Sequence, residues 1–185
     1  MSVKIIKVFA ISIILYSPFS LSTDRTTLVQ QCAVCHGSNG ISANSAWPNL
    51  AGQNKGYIVT QLKRFKSGAR KNALMTPVLN NLTDQDMEFL ADYYSSQQVA
   101  IPPAKVINQQ GRNVSGYCMP CHTAKGYAVN DEWPNISGQH ADYLFNQLMS
   151  IKNGKRQSMI MNSVISDMTE EQLRSVADYY QQIGN

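Results

Sequence analysis

Two short motifs hold the residues whose types and spacing are best suited to chemistry. A Cys-x-x-Cys-His sequence occupies residues 32–36 and returns at 118–122, an offset of 86 residues. Paired cysteines with this spacing bind zinc, form a thiol–disulfide redox centre, close structural disulfides or attach haem covalently. The positions concerned are Cys32, Cys35, His36, Cys118, Cys121 and His122.

Three of these four chemistries fit the sequence poorly. A Cys₄ zinc site usually joins two pairs about 15 to 20 residues apart, and a thioredoxin-like centre needs a βαβ context. Zinc and structural disulfides also leave the histidine after each pair unexplained. Cys-x-x-Cys-His is the haem attachment signature, in which both thiols form thioethers with the porphyrin and the adjacent histidine can ligate iron. The sequence therefore predicts two covalently bound haem c groups.

The duplication extends far beyond the two motifs. Without a gap, Trp-Pro-Asn at 47–49 matches 133–135, and Ala-Asp-Tyr-Tyr at 91–94 matches 177–180. A period this long indicates two whole domains, because solenoid repeats are shorter. Further matches are Gly52-Gln53 with Gly138-Gln139, Tyr57 with Tyr143, Gln61-Leu62 with Gln147-Leu148, Lys66 with Lys152, Gly68 with Gly154, and Arg70 with Arg156.

Six-coordinate haem iron requires a second axial ligand, which is methionine in cytochromes c. Only Met75 and Met161 are methionine in both repeats, and each follows its histidine by 39 residues. We therefore predict that they ligate iron, from a loop before the last helix of each domain. Packing roles are predicted for the remaining methionines of the repeats, since methionine fills irregular gaps: Met87, Met119, Met149, Met159 and Met168.

Together these motifs make the chain resemble a dihaem class I cytochrome c of the cytochrome c4 family. The resemblance rests on C-x-x-C-H, W-P-N-[LI]-x-G-Q, Y-x-x-x-Q-L, K-x-G-x-R, the methionine and A-D-Y-Y, each present twice. It implies an all-α fold of two tandem cytochrome c domains, related by pseudo-twofold symmetry, with haems near the domain interface. One departure is Thr123, which follows His122 where the first repeat has the usual glycine, Gly37.

The resemblance also gives roles to residues around the haems. Pro48 and Pro134 each follow a haem histidine by 12 residues, and their carbonyls are expected to accept a hydrogen bond from that imidazole. Such a bond fixes the ring and strengthens its donation to iron. Packing near the porphyrin, or in an ordinary core, is expected for Trp47, Trp133, Tyr57 and Tyr143.

Four cations are candidates for pairing with haem propionates. Arg70 and Arg156 offer forked donors that suit a carboxylate, and Lys66 and Lys152 are the alternative pair. A solvated surface charge is the competing interpretation for each of them. His140 aligns with Asn54, so it is predicted to be a surface residue.

A helical scaffold must position these residues. Apolar residues at helical spacing predict a closing helix in each repeat, after N-caps at Thr83 and Thr169, with a capping box from Thr169 to Gln172. A second helix is predicted over 57–66 and over 143–152, and a shorter helix before each Cys-x-x-Cys. Strand patterns are nearly absent, which again favours an all-α fold.

The start of the chain has the layout of a secretory signal peptide, because Lys4 and Lys7 precede an apolar stretch and small residues follow it. The apolar stretch is about 14 residues, whereas a membrane-spanning helix needs about 20. A retained anchor is the alternative. We predict a signal peptide at 1–22, domains at 23–98 and 108–185, and a proline-containing linker at 99–107.

Composition narrows the class of protein. The 185 residues are 43% hydrophobic and 15% charged, with a net charge of +4. The hydrophobic fraction is too high for a disordered chain. The sequence has no basic run that would indicate nucleic-acid binding. Two of the four net charges come from Lys4 and Lys7, so the basic balance is weak evidence for an anionic partner.

The family resemblance implies a periplasmic electron carrier and not an enzyme. Its implied donor is a quinol-oxidising bc-type complex, and its implied acceptor is a haem–copper terminal oxidase. One alternative is the cytochrome subunit of an oxidoreductase complex, such as a sulfide-oxidising flavocytochrome. A dihaem enzyme is less favoured because no spare cysteine remains and each haem has its methionine. Peripheral membrane association and the oligomeric state are left open.

Overall fold

The computed structural model describes residues 24–98, 104 and 107–184, in which every regular element is a helix. The all-α prediction is therefore confirmed. The predicted signal peptide and most of the predicted linker lie outside the described residues, so both stay predictions. Within the described part of the chain, no helix is both long and apolar enough to cross a membrane.

The described part of the first domain contains four helices around one core, namely α1 (Arg25–His36), α2 (Lys55–Lys66), α3 (Met75–Leu79) and α4 (Asp84–Ser95). α2 packs against α4 and α3, and α1 packs against α4. Leu28, Met87 and Leu90 are almost completely buried where these helices meet. The first motif forms the C-terminal part of α1, so the packing of α1 on the core fixes the direction of its Cys and His side chains.

The second domain repeats this arrangement with a broken first helix. Its described helices are α5 (Gln109–Val114), a 3₁₀ helix (Ser115–Tyr117), α6 (Met119–His122), α7 (Ala141–Lys152), α8 (Met159–Ile165) and α9 (Glu170–Gln182). α5 and α7 both pack against α9. Where α1 is continuous, the second domain has a short α-helix, one 3₁₀ turn and another short α-helix. Gly116 lies in this stretch and Pro120 lies in the first turn of α6, where a missing N–H costs little.

Both predicted N-caps of the closing helices are present. Thr169 and Gln172 form the predicted capping box at the start of α9. The first domain has a complete box as well, because the Thr83 hydroxyl accepts from the Asp86 N–H and the Asp86 carboxylate accepts from the Thr83 N–H. An acid at this position therefore closes the cap as well as complementing the helix dipole.

Two glutamines dock the domains by reciprocal hydrogen bonds. Gln53 Oε1 accepts from the Asn135 N–H at 2.7 Å, and its Nε2 donates to the Asn135 carbonyl at 2.8 Å. Gln139 makes the same two bonds to Asn49, at 2.8 and 2.9 Å. The two sets of bonds are equivalent, because replacing each residue by its counterpart in the other repeat converts one set into the other. The pairing therefore follows the pseudo-twofold relation that the family resemblance implies.

Replacing Gln139 with alanine is expected to lower the free energy of unfolding by about 1–3 kcal/mol. The change leaves the buried N–H and C=O of Asn49 without these partners, and Asn49 is only 5% exposed. Denaturant unfolding of the haem-loaded protein measures the loss. Gln157→Ala is the control, because that side chain is exposed and bonds only to the nearby Gly154 carbonyl. Equal stability of the two variants would contradict this role of Gln139.

Candidate haem sites

One continuous cavity of about 530 Å³ reaches through both domains and is lined by residues of both motifs. None of the four cysteines forms a disulfide. Among the described residues, no group of three or more His, Cys, Asp or Glu side chains is arranged to hold a metal ion. The predicted residues on the cavity wall are Cys32, Cys35, His36, Met75, Cys118, Cys121, His122 and Met161.

The two motif histidines have the same hydrogen bond. Nδ1 of His36 lies 2.9 Å from the Pro48 carbonyl oxygen, and Nδ1 of His122 lies 2.9 Å from that of Pro134. A carbonyl oxygen only accepts, so Nδ1 carries the proton and Nε2 keeps its lone pair. Burial lowers the pKa of both histidines and outweighs the opposing effect of the proline bond. Each imidazole is thus neutral and able to ligate iron through Nε2.

The thiols suit covalent attachment as well. Cys32, Cys35 and His36 lie at i, i+3 and i+4 on α1, so the three side chains share one helix face. Burial raises the pKa of the Cys32 thiol and of the Cys118 thiol to about 11. Both are therefore neutral thiols near pH 7. The residues present fit a haem c group in each half of the cavity.

Met75 and Met161 lie in short helices, so their predicted placement in loops is wrong. Met75 is the first residue of α3, and Met161 lies in the first turn of α8. α3 begins where the Asn72 side chain accepts from the Leu74 and Met75 N–H groups, both at 2.9 Å. Helices of five and seven residues are too short for apolar periodicity to reveal them.

The remaining methionines are only partly in packing positions. Met87 and Met168 are buried, and Met149 packs against the second core. Met159, however, is 89% exposed at the start of α8, so its predicted packing role is wrong. Met119 is half-buried.

Of the four candidate cations, the arginines line the cavity and the lysines do not. Arg70 is 7% exposed and Arg156 is half-buried, so neither is a solvated surface charge. Lys66 Nζ donates instead to the Leu82 carbonyl, and Lys152 Nζ donates to that of Met168. Each lysine therefore stabilises the loop that precedes the closing helix of its own domain.

The aromatic residues singled out from the sequence also reach the cavity wall, namely Trp47, Trp133, Tyr57 and Tyr143.

The surface prediction for His140 is wrong. This side chain is half-buried, and its Nε2 donates to the Ser42 carbonyl of the other domain at 2.9 Å. Its counterpart Asn54 donates across the same interface to the Trp133 carbonyl at 2.8 Å. This position lies on the outside of its own domain and is covered by the other domain.

Sequence reasoning missed the roles of four glutamines. Gln53 and Gln139 dock the domains, while Gln61 and Gln147 accept hydrogen bonds from the two arginines. The sequence contains a signal for these roles, because each glutamine is matched by a glutamine at the equivalent position of the other repeat. Repetition of an amide that no haem ligation requires indicates that the residue has a structural role in both repeats, and the structure shows its contacts.

The residue after each haem histidine adopts a backbone conformation that favours glycine. Gly37 has φ 79° and ψ 152°, and Thr123 has φ 55° and ψ 170°. Thr123 is the one residue other than glycine with positive φ among those described. This region is essentially restricted to glycine, and occupying it costs of order 1–3 kcal/mol. The second motif therefore carries strain that the first lacks.

Replacing Thr123 with glycine is expected to stabilise the protein by about 1–2 kcal/mol, which is the strain relieved less the greater entropy of the unfolded chain. The opposite change, Gly37→Ala, is expected to destabilise it, because a Cβ there meets the Ile41 carbonyl oxygen at 2.1 Å. Denaturant unfolding of the haem-loaded variants gives both values. A less stable Thr123→Gly variant would show that the threonine side chain compensates for its backbone.

Comparisons with known proteins agree with this geometry. The cytochrome c family model matches residues 25–98. Cytochrome c4 of Pseudomonas aeruginosa is 30% identical over 165 residues, which are 81% of this chain and 82% of that protein. The thiosulfate dehydrogenase electron acceptor of Stutzerimonas stutzeri is 30% identical over 171 residues, 83% of this chain and 79% of that protein.

The fold is also similar to that of a solved structure. Reduced recombinant cytochrome c4 from Pseudomonas stutzeri superposes with a TM-score of 0.78 at 30% identity, covering 86% of this chain and 98% of that one. Fold and site together define a dihaem c-type cytochrome, which binds haem c covalently and transfers electrons without being an enzyme. This chain belongs to the cytochrome c4 family.

Proposed function

We propose that this protein is a periplasmic carrier that shuttles electrons between respiratory complexes. The proposal rests chiefly on one observation, that both halves of the cavity present a histidine and a methionine from the protein. Two protein ligands for each iron leave no position for a substrate. Class I c-type cytochromes of this family are periplasmic, and a cleaved signal peptide at 1–22 would deliver the chain there.

The proposed ligand sets are symmetric. His36 and Met75 would hold iron in the first domain, and His122 and Met161 in the second. Haem c, when bound, supplies reversible one-electron oxidation and reduction of its iron. The role of the protein is to keep both iron ligands in place whether the iron is oxidised or reduced. The proline hydrogen bonds at 2.9 Å support this, because they fix the orientation of each imidazole.

Thioethers to the four cysteines would attach the two groups, one pair in each domain. We expect electron transfer to need little rearrangement, because Met75 packs against the first core and Met161 against the second. Exposed apolar side chains at the cavity wall support brief docking of redox partners, whose contacts are small. They are Leu74, Val78, Tyr117 and Ile160.

A redox titration of the purified protein, followed by absorbance, tests this proposal. We expect two haem groups per chain and a weak far-red methionine–iron band from each ferric haem. One haem per chain, or a very low potential for both, would contradict the model of two His/Met haems. High-spin ferric iron that readily binds added cyanide would reveal an open position and contradict the carrier role.

The proposed donor is a quinol-oxidising bc-type complex and the proposed acceptor a haem–copper terminal oxidase. A second candidate is the dedicated acceptor or cytochrome subunit of an oxidoreductase complex, which is favoured by the relative named as a thiosulfate dehydrogenase electron acceptor. Reduction rates with quinol and a bc-type complex, compared with thiosulfate and its dehydrogenase, separate the two. Faster reduction by thiosulfate dehydrogenase would favour the second candidate.

A further inference from the structure

Two arginines and two glutamines form a closed set of hydrogen bonds where the domains meet. Gln61 Oε1 accepts from Arg70 Nη1 at 2.8 Å and from Arg156 Nη2 at 3.3 Å. Gln147 Oε1 accepts from Arg156 Nη1 at 2.9 Å and from Arg70 Nη2 at 2.7 Å. Each guanidinium therefore bonds to a glutamine of its own domain and to one of the other domain.

Two tyrosines extend this set with the same cross-domain pattern. Arg70 Nη2 donates to the Tyr143 hydroxyl at 3.1 Å, and Arg156 Nη2 donates to the Tyr57 hydroxyl at 2.8 Å. Neither arginine can thus be assigned to one domain by its contacts. We refer to the six residues as the interface ring, which consists of Tyr57, Gln61, Arg70, Tyr143, Gln147 and Arg156.

The interface ring carries two positive charges, and their hydrogen-bond partners within the protein are neutral side chains. Among the described residues, the ion pairs involve other cations, Lys55 and Arg174. The charges of the two arginines affect the ionisation of a neighbouring tyrosine. Burial by itself raises the pKa of Tyr57, but the charges of Arg156 and Arg70 outweigh that effect and lower the pKa.

All six residues of the interface ring line the cavity that also holds both Cys-x-x-Cys-His motifs. Arg70 is only 7% exposed, so its charge is poorly screened by water. A haem gains one unit of positive charge when its iron is oxidised. Fixed positive charges near it favour the reduced state and raise its potential, and burial strengthens this effect.

We propose that the interface ring couples the two haem sites, so that each arginine raises the reduction potential of both haems and not only that of its own domain. This inference rests on the proposed carrier function. It predicts an unusual result, since a substitution in one domain must shift the midpoint of the other. A side chain that served only its own domain would shift one midpoint.

Two variants with different chemistry test the coupling in the haem-loaded protein. Arg70→Gln removes one charge of the interface ring. Gln147→Glu keeps the size of the side chain and adds a carboxylate beside both guanidiniums, with which it can form ion pairs that support folding. For each variant we expect both midpoints to fall. The expected change is about tenfold in the equilibrium ratio of reduced to oxidised haem, which is 59 mV for one electron.

Lys66→Gln is the matched control, because it also removes one positive charge from the first domain. Lys66 does not line the cavity and bonds within its own domain, to the Leu82 carbonyl. Both midpoints should move much less in this variant than in Arg70→Gln. Equal shifts in the two variants would reduce the effect to net charge and overturn the proposal.

A shift of only one midpoint, or of neither, in Gln147→Glu would overturn the coupling even if Arg70→Gln does not fold. The haem count and the far-red bands are recorded on the same samples. If these are as expected while the midpoints stay in place, the coupling fails and the carrier proposal stands. If the wild-type protein lacks two His/Met haems, the carrier proposal itself fails.

Discussion

Replacing Cys118 and Cys121 together with alanine is expected to yield a chain that carries one haem c instead of two. Without thioethers the second haem has no covalent link, and half of the 530 Å³ cavity loses the group that fills it. A domain of this size buries too little apolar surface to tolerate such a loss, and an unfilled cavity costs stability in proportion to its volume. The second domain should therefore lose much of its helical structure.

Intact-mass measurement counts the haem groups, and limited proteolysis locates the unfolding. Cleavage should concentrate within 108–184 and spare 24–98. The reciprocal control, Cys32→Ala with Cys35→Ala, should reverse both the domain that is cleaved and the haem that remains. Two covalent haem groups in the first double variant would refute the assignment of Cys118 and Cys121.

Replacing Met161 with alanine is expected to remove the far-red band of one haem and to lower the potential of that haem. Methionine ligation raises the potential of cytochrome c iron, and axial ligands set haem potentials over a range of about 0.8 V. A fall on the order of 0.1 V or more is therefore expected for one midpoint. The vacated position should also admit added cyanide. Absorbance titration measures all three changes, and Met75→Ala should produce the same changes for the other haem.

Met159→Ala is the matched control for this experiment. Met159 lies two residues before Met161 in the same short helix, but its side chain is 89% exposed. The control should keep both far-red bands and both midpoints. If Met161→Ala keeps them as well, Met161 is not an iron ligand.

The sequence predicted well those features that depend on short stretches of chain. The capping box of Thr169 and Gln172 and the apolar spacing of α9 are encoded within one helix, and both were found. The short helices around Met75 and Met161 were missed. Their formation depends on a few local bonds, such as those to Asn72, and on packing against the domain, neither of which leaves a periodic pattern.

The duplication shows which residues the two repeats share, but not which contacts those residues make. It identified Gln53 and Gln139 as matched residues but did not reveal their hydrogen-bond partners. Its alignment of His140 with Asn54 predicts a surface position for His140, whereas both side chains contact the opposite domain. A comparison of the repeats shows which positions are shared, and it carries no information about how one repeat faces the other.

The sequence alone therefore determined the class of cofactor, the duplication and the all-α fold, because covalent attachment and helix formation depend on residues close together in the chain. Only the tertiary structure decided that both motifs share one cavity and that Arg70 and Arg156 join the two domains. These contacts connect residues more than 70 positions apart. Their existence depends on the angle at which the two duplicated domains dock, and that angle is fixed by the sum of many interface contacts.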